Sequence, residues 1–78
     1  MRAVTVEQIV AKVFGVAPGK VNDSSVRDNI EGWDSMGHLT LIIELEKQFR
    51  VNISISDSLE MVSIRKIKEV LGSYGVEC

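Results

Sequence analysis

Three stretches of the chain carry hydrophobic residues at helical spacing, and the first of them begins close to Thr5. In this stretch a hydrophobic residue recurs every three or four positions, at Val6, Ile9, Val10 and Val13. Thr5 and Gln8 have the spacing of a capping box, in which each side chain bonds the backbone N–H of the other residue. The pattern therefore predicts a first helix from about Thr5 to Phe14, which Gly15 can end.

A polar stretch from Val16 to Asp34 follows the first helix. It is rich in residues that favour turns over helices and strands, namely Pro18, Gly19, Asn22, Asp23, Ser24, Ser25, Asp28, Asn29 and Gly32. We predict a long loop here, although a connection of this length is unusual in a compact domain. We expect its hydrophobic residues Val21, Val26 and Ile30 to hold it against the ends of the helices.

The most apolar stretch, from Met36 to Phe49, is long enough for about four helical turns. Asp34 and Ser35 just before it are both helix-capping residue types, so we place Ser35 at the helix start. On a helical wheel the predicted core face consists of Leu41, Ile42, Leu45 and Phe49. A second apolar strip consists of Met36, Leu39 and Ile43, with Thr40 and Lys47 at its edges. This second strip is either buried in a small bundle or exposed as a docking surface.

The segment from Val51 to Ile55 alternates apolar and polar residues, a period-two pattern that alone would predict a strand. No other stretch offers a partner strand, and an isolated strand leaves its hydrogen bonds unmade. We therefore expect an extended connector that buries its isoleucines. A short helix from Asp57 to Met61, capped by Ser56 or Asp57, is expected to follow.

The last stretch of helical spacing follows Ser63, which we expect to cap it. Its inward-facing residues are predicted to be Ile64, Ile67, Val70 and Leu71. Gly72 is expected to end this helix, and the tail from Ser73 to Cys78 to be frayed. The outer face of this helix carries Arg65, Lys66 and Lys68, and we predict that it is exposed to solvent.

Composition is that of a folded protein, with 78 residues of which 45% are hydrophobic and 26% charged. A chain of this length makes one domain, which we place at residues 1–78. The net charge of −2 and the absence of a long run of like charge give no indication of nucleic-acid binding. We therefore expect protein partners, and we also expect the protein to be a monomer.

The chain contains one cysteine, Cys78, and one histidine, His38, so it forms no internal disulfide and no thiolate- and imidazole-rich zinc site. The longest aliphatic run of the central helix, Leu41 to Ile43, is far shorter than the roughly 20 residues of a membrane span. Met1 to Val10 also lacks the apolar core of a signal peptide. These features predict a cytoplasmic protein, in which Cys78 has no assigned role.

The stretch Asp34-Ser35-Met36, followed by an apolar helix ending in Leu45-Glu46-Lys47-Gln48-Phe49, resembles the attachment site of acyl carrier proteins. In that family Asp-Ser-Leu precedes the second helix. The resemblance extends to the chain length, the first amphipathic helix, the long loop and the Ile-rich segment Val51 to Ile55. It implies an all-α fold, a four-helix bundle of three main helices plus one short helix, with a long loop between the first and second helices.

The resemblance also implies a function. A phosphopantetheinyl transferase would move 4′-phosphopantetheine from coenzyme A to the Ser35 hydroxyl, and the thiol of this arm would carry an acyl group as a thioester. The partners would be that transferase, an acyl-loading ligase or transferase, and acyl-using enzymes such as a ketosynthase of fatty-acid biosynthesis or another pathway. Asp34 would assist recognition and metal coordination during attachment, or would simply cap the helix and complement its dipole.

Other functions share parts of this pattern. D-alanyl carrier proteins also show Asp-Ser-Met-Gly, as in Asp34 to Gly37, whereas the Gly-Gly-His-Ser motif typical of peptidyl carriers is absent. A hydrolase triad of Asp34, Ser35 and His38 would need the histidine between the other two, and the chain lacks the Gly-x-Ser-x-Gly elbow. An unmodified helical interaction domain is a further alternative.

Two aromatic neighbours of Ser35 have less distinctive roles. Trp33 is expected to anchor the loop in the core, although an aromatic so close to the serine could instead touch the arm. We expect His38 to be a partly buried neighbour of the loop.

The central helix also departs from the family that it resembles. Fatty-acid carrier proteins usually present acidic residues along the exposed side of this helix, whereas Gly37, Thr40 and Lys47 stand here. Exposed ion pairs contribute only about 0–1 kcal/mol, but charge complementarity governs association rate and partner choice. We therefore predict docking through Met36, Leu39, Thr40, Ile43 and Lys47, and a specialised rather than a housekeeping carrier.

Overall fold

The computed structural model describes residues 5–76 and consists of helices joined by loops. The helices are α1 (Val6–Phe14), α2 (Ser35–Phe49), α3 (Ile55–Glu60) and α4 (Ile64–Ser73). Within residues 5–76 the only β-type pairing is an isolated antiparallel bridge between Val26 and Ser63. The predicted all-α architecture of three main helices, one short helix and a long first loop is confirmed. Cys78 lies outside the described residues.

Each helix begins at a side chain that accepts a hydrogen bond from a free backbone N–H of the first turn. Thr5 and Gln8 form the predicted capping box of α1, and Gly15 ends that helix with a positive φ of 69°. Asp34 caps α2 through the Gly37 N–H, and Ser63 caps α4 through the Lys66 N–H. These local bonds explain why the starts of α1, α2 and α4 were predictable from the sequence.

The core lies where α1, α2 and α4 meet. Its fully buried members include Val6, Val10, Leu41, Leu45, Met61, Ile64, Ile67 and Leu71. On α2 the predicted core face is confirmed at Leu41, Ile42 and Leu45, which are all buried. Phe49 packs against this core but is only half-buried, because it lies in the last turn of the helix.

The loop between α1 and α2 is more ordered than the sequence indicated. It contains two short 3₁₀ turns, Pro18–Lys20 and Arg27–Asn29. Val21 and Ile30 are buried as predicted, whereas Val26 is exposed and contributes backbone pairing instead of packing. The Arg27 N–H donates to the Val62 carbonyl, and the Ile64 N–H donates to the Ser25 carbonyl. These bonds fasten the loop to the start of α4 without the predicted burial of Val26.

Helix α3 begins two residues earlier than predicted and ends one residue earlier. Its N-cap is Ser54, whose hydroxyl accepts from the Asp57 N–H, not Ser56 or Asp57. Ile55 is therefore a helical residue that faces solvent, and the prediction that it is buried in an extended connector is wrong. Val51 and Ile53 do pack against the core from the non-helical connector, so the prediction is correct for these two residues.

The end of α4 also differs from the prediction. Gly72 lies inside the helix, which continues to Ser73. The residues from Ser73 to Val76 are held in place and are not frayed as predicted. The Tyr74 hydroxyl donates to the Asp57 carboxylate at 2.6 Å and accepts from the Ser54 N–H at 3.1 Å. The segment after α4 is thus fastened to the start of α3.

Lys68 does not belong to a solvated outer face. Its ammonium donates to Glu7 on α1 and to Asp23 in the first loop, both at 2.6 Å, and is only about a quarter exposed. The hydrogen bond from Lys68 lowers the pKa of the Asp23 carboxyl, and the bonds to Asp23 and Glu7 raise the pKa of Lys68. This cluster ties α4, α1 and the loop together.

Candidate functional site

Ser35 lies at the N-terminus of α2 with its side chain exposed. The cap is Asp34 rather than Ser35, since the Asp34 carboxylate accepts the Gly37 N–H at 2.9 Å. Within residues 5–76 the Ser35 hydroxyl takes part in no hydrogen bond, so its oxygen is available to a reagent from solvent. The partial positive charge of the helix N-terminus favours an anionic group at this position.

Trp33 and His38 form a buried network beside Ser35. The Trp33 indole is 4% exposed and stacks on the Phe14 ring at a centroid distance of 5.4 Å, so the predicted role of an anchor is confirmed. Its Nε1–H donates to His38 Nδ1 at 2.9 Å, and His38 Nε2 lies 2.7 Å from the Ser58 carbonyl oxygen on α3. Because both imidazole nitrogens are engaged in these bonds, His38 does not serve Ser35 as a catalytic base.

Gly37 occupies the point where the first loop crosses the first turn of α2. A Cβ at this position would overlap the Gly32 carbonyl oxygen and lie 2.8 Å from the Phe14 ring. Gly32 itself has a φ of 92°, which favours glycine. Packing therefore excludes any side chain at Gly37, acidic or not.

The second apolar strip of α2 is exposed, so the interpretation that it is buried in a bundle is wrong. The exposed fractions are 74% for Met36, 56% for Leu39 and 55% for Ile43. Helix α3 adds two further exposed apolar residues, Ile55 at 81% and Leu59 at 68%, which sequence reasoning missed. Their spacing of four residues is helical and was the available signal.

An open cavity of about 290 Å³ lies between α2 and α3, next to Ser35. Its apolar lining comes from Leu39, Ile42, Ile43, Ile53 and Ile55, and its polar lining from Ser35, His38, Glu46 and Ser58. Ser35 therefore lies next to both the exposed strip and this cavity.

The acidic side chains of α2 are engaged within the protein. Glu46 accepts the Ile53 N–H at 2.8 Å, and Glu44 accepts from the Gln48 amide at 2.9 Å. The bond from Gln48 lowers the pKa of the Glu44 carboxyl, with a smaller contribution from Lys12, whose ammonium is 3.9 Å away. Thr40 and Lys47 are exposed. Glu44 and Glu46 keep their charge but are only partly exposed, and the exposed positions Thr40 and Lys47 supply no negative charge to this face.

Residues 5–76 contain no group of three or more histidine, cysteine or acidic side chains suited to a metal ion. None of the helices in this part of the chain is long and apolar enough to cross a membrane.

Comparison with protein families gives a match to one whose description is "phosphopantetheine attachment site", over residues 4–71. The matched range includes the first loop, Ser35, the whole of α2 and α3, and most of α4.

Proposed function

Since the chain belongs to the phosphopantetheine attachment family, we propose that it is an acyl carrier protein whose attachment residue is Ser35. Domains of this family are carriers without catalytic activity of their own, and they hold 4′-phosphopantetheine covalently on a serine. The observation that carries the choice of Ser35 is its position as an exposed, unbonded hydroxyl at the start of α2, beside an aspartate that already caps the helix.

The residues around Ser35 fit such a group. The helix N-terminus favours the phosphodiester charge, and the cap at Asp34 keeps the first turn in place when the hydroxyl is modified. When bound, the arm supplies a thiol that carries an acyl group as a thioester. The chain itself contributes position: it keeps the cargo at a high local concentration near docked enzymes.

Incubation with coenzyme A and a broad-specificity phosphopantetheinyl transferase tests this proposal. We expect mass spectrometry to show one added phosphopantetheine and peptide mapping to place it on Ser35. Ser24, Ser54, Ser56 and Ser73 are also exposed and serve as internal controls within the same sample. Modification of one of these instead, or no addition at all, would refute the assignment.

The exposed apolar surface supports a specialised carrier over a housekeeping fatty-acid carrier. Met36, Leu39 and Ile43 are exposed, while the carboxylates of Glu44 and Glu46 are engaged in internal bonds. Because these two carboxylates are also only partly exposed, a basic enzyme patch would reach few acidic partners, and apolar contact would contribute more of the docking energy.

We expect the loaded protein to be a poor substrate for a fatty-acid ketosynthase, and Thr40→Glu combined with Lys47→Glu to raise its turnover. Both positions are exposed, so the double variant changes charge on this face without altering the core. A control is Arg65→Glu with Lys66→Glu on exposed positions of α4, which changes the net charge by a similar amount elsewhere. Efficient wild-type turnover that neither the acidic pair nor added salt changes would contradict the proposal.

An aminoacyl, D-alanyl-like carrier is the second candidate, because Asp34 to Gly37 reads Asp-Ser-Met-Gly. The structure weakens this argument, since Gly37 is required by its contact with the loop. Offering the modified protein both an acyl-activating and an aminoacyl-activating ligase distinguishes the two cargoes. A cytoplasmic, monomeric domain covering residues 1–78 is part of the proposal.

A further inference from the structure

Polar contacts hold helix α3 near both of its ends. None of its six residues is buried. Toward its N-terminal end the Tyr74 hydroxyl bonds the Asp57 carboxylate and the Ser54 N–H. Toward its C-terminal end the Ser58 carbonyl oxygen is bonded by His38 Nε2, from α2, at 2.7 Å. The second of these contacts adjoins the cavity and Ser35.

The hydrogen bonds of His38 define which form of its imidazole the fold accepts. Trp33 Nε1–H is a donor and cannot accept, so His38 Nδ1 must be the unprotonated acceptor of the 2.9 Å bond between them. The ring hydrogen is then on Nε2 and is donated to the Ser58 carbonyl oxygen. The neutral imidazole with its hydrogen on Nε2 is therefore the form that satisfies both neighbours.

We propose that His38 is a positioning residue, which in this neutral form holds α3 beside Ser35 and which on protonation releases its bond to Trp33. A second hydrogen on Nδ1 would point at the indole N–H, and two donors at 2.9 Å cannot bond each other. The imidazolium must turn away from one of its partners. Because the ring joins the first loop to α3, both would loosen together in acid.

The charged groups on the elements around the imidazole are Lys20, Asp23, Arg27, Asp28, Glu31 and Asp34 in the loop and at the cap, Glu44, Glu46 and Lys47 on α2, and Asp57 and Glu60 on α3. Within residues 5–76 none of them forms an ion pair with His38. Arg27 donates to the Trp33 carbonyl oxygen and Asp57 is bonded by Tyr74. No carboxylate in contact therefore compensates the charge of an imidazolium here.

This inference rests on the proposed function only in placing the network next to the attachment serine. It can be tested on the full, unmodified chain, so that a failure of attachment at Ser35 would not affect the result. Equally, a wrong result for His38 would leave the attachment proposal intact.

The first measurement is the nitrogen NMR spectrum of His38 at about pH 8, where we expect the tautomer with hydrogen on Nε2. On acidification until the same nitrogen signals show that Nδ1 is protonated, we expect the Trp33 indole N–H signal and the α3 amide signals to shift together. Amide exchange in α3, corrected for its intrinsic pH dependence, should rise about fivefold, as loss of one hydrogen bond implies. The opposite tautomer in the folded protein would overturn the proposal without any variant.

The variant His38→Gln keeps an amide N–H able to donate to the Ser58 carbonyl oxygen but has no ring nitrogen that can be protonated. We expect it to remove the shared pH response while circular dichroism shows the helices retained. Tyr74→Phe is the matched control, because it removes the other polar contact of α3 and should leave the pH response in place. A pH response of Trp33 and α3 that persists in His38→Gln would show that another group causes it.

Discussion

Replacing Ser35 with alanine is expected to abolish the addition of phosphopantetheine and to leave the helix content and melting temperature nearly unchanged. Loading should fall to zero because the hydroxyl oxygen is the proposed nucleophile. The fold should be retained because the cap of α2 is the Asp34 carboxylate, and within residues 5–76 the Ser35 hydroxyl forms no hydrogen bond. Mass spectrometry and thermal melting on the same sample measure both effects.

Ser63→Ala is the matched control for this experiment. The Ser63 hydroxyl accepts the Lys66 N–H at 3.1 Å and caps α4, far from the start of α2 along the chain. Its loss should lower the free energy of unfolding by about 1 kcal/mol, the usual value of an N-cap, and leave loading intact. The two serines should thus show opposite effects.

A loss of stability in Ser35→Ala as large as that in Ser63→Ala would show that Ser35 has a structural role we have not identified. Residual loading of Ser35→Ala would show that another serine is modified. Asp34→Asn separates the two roles of the neighbouring aspartate, since asparagine is also a good N-cap but has no charge. If Asp34 acts only as a cap, this variant should load at the wild-type rate.

Replacing Gly37 with alanine is expected to destabilise the domain by about 1–3 kcal/mol or more, a large share of the stability of a small protein. The added Cβ would overlap the backbone oxygen of Gly32, which cannot turn away as a side chain would, and would press on the Phe14 ring. Phe14 stacks on Trp33, so the disturbance should reach the anchor of the loop. Denaturant unfolding followed by Trp33 fluorescence measures the effect.

Gly72→Ala in α4 is the control for this substitution. Gly72 is also helical, but a Cβ there would meet no atom within 4 Å. Alanine in an exposed helix interior is favoured over glycine by roughly 0.5–1 kcal/mol, so this variant should be slightly more stable than the wild type. Gly37→Ala with the same gain in stability would refute the close approach of the loop.

The sequence by itself determined the helix starts that depend on neighbouring residues. Thr5, Asp34 and Ser63 cap their helices through N–H groups three residues away, and such bonds are visible as short motifs. The core face of α2 was equally predictable, because Leu41 and Leu45 are one helical turn apart and both are buried. The motif around Ser35 indicated the family for the same reason, since its residues are contiguous.

Only the tertiary structure decided which apolar and charged residues contact residues far away in the sequence and which stay exposed. Lys68 on the apparent outer face of α4 bonds Glu7, 61 residues away, and Tyr74 fastens Ser54, 20 residues away. The docking strip was ambiguous for a related reason. A helical wheel shows that Met36 and Leu39 share a side, but only the positions of the other helices show that this side is uncovered.

Gly37 shows most clearly what could not be predicted from the sequence. In the sequence it is a missing acidic residue on a docking helix, which predicts an altered partner surface. In the structure its lack of a side chain lets the Gly32 carbonyl and the Phe14 ring approach α2 closely. Periodicity and capping are properties of residues within about one turn, and the sequence contains them directly. Close approach between elements depends on how the chain folds back on itself, and no local pattern encodes that distance.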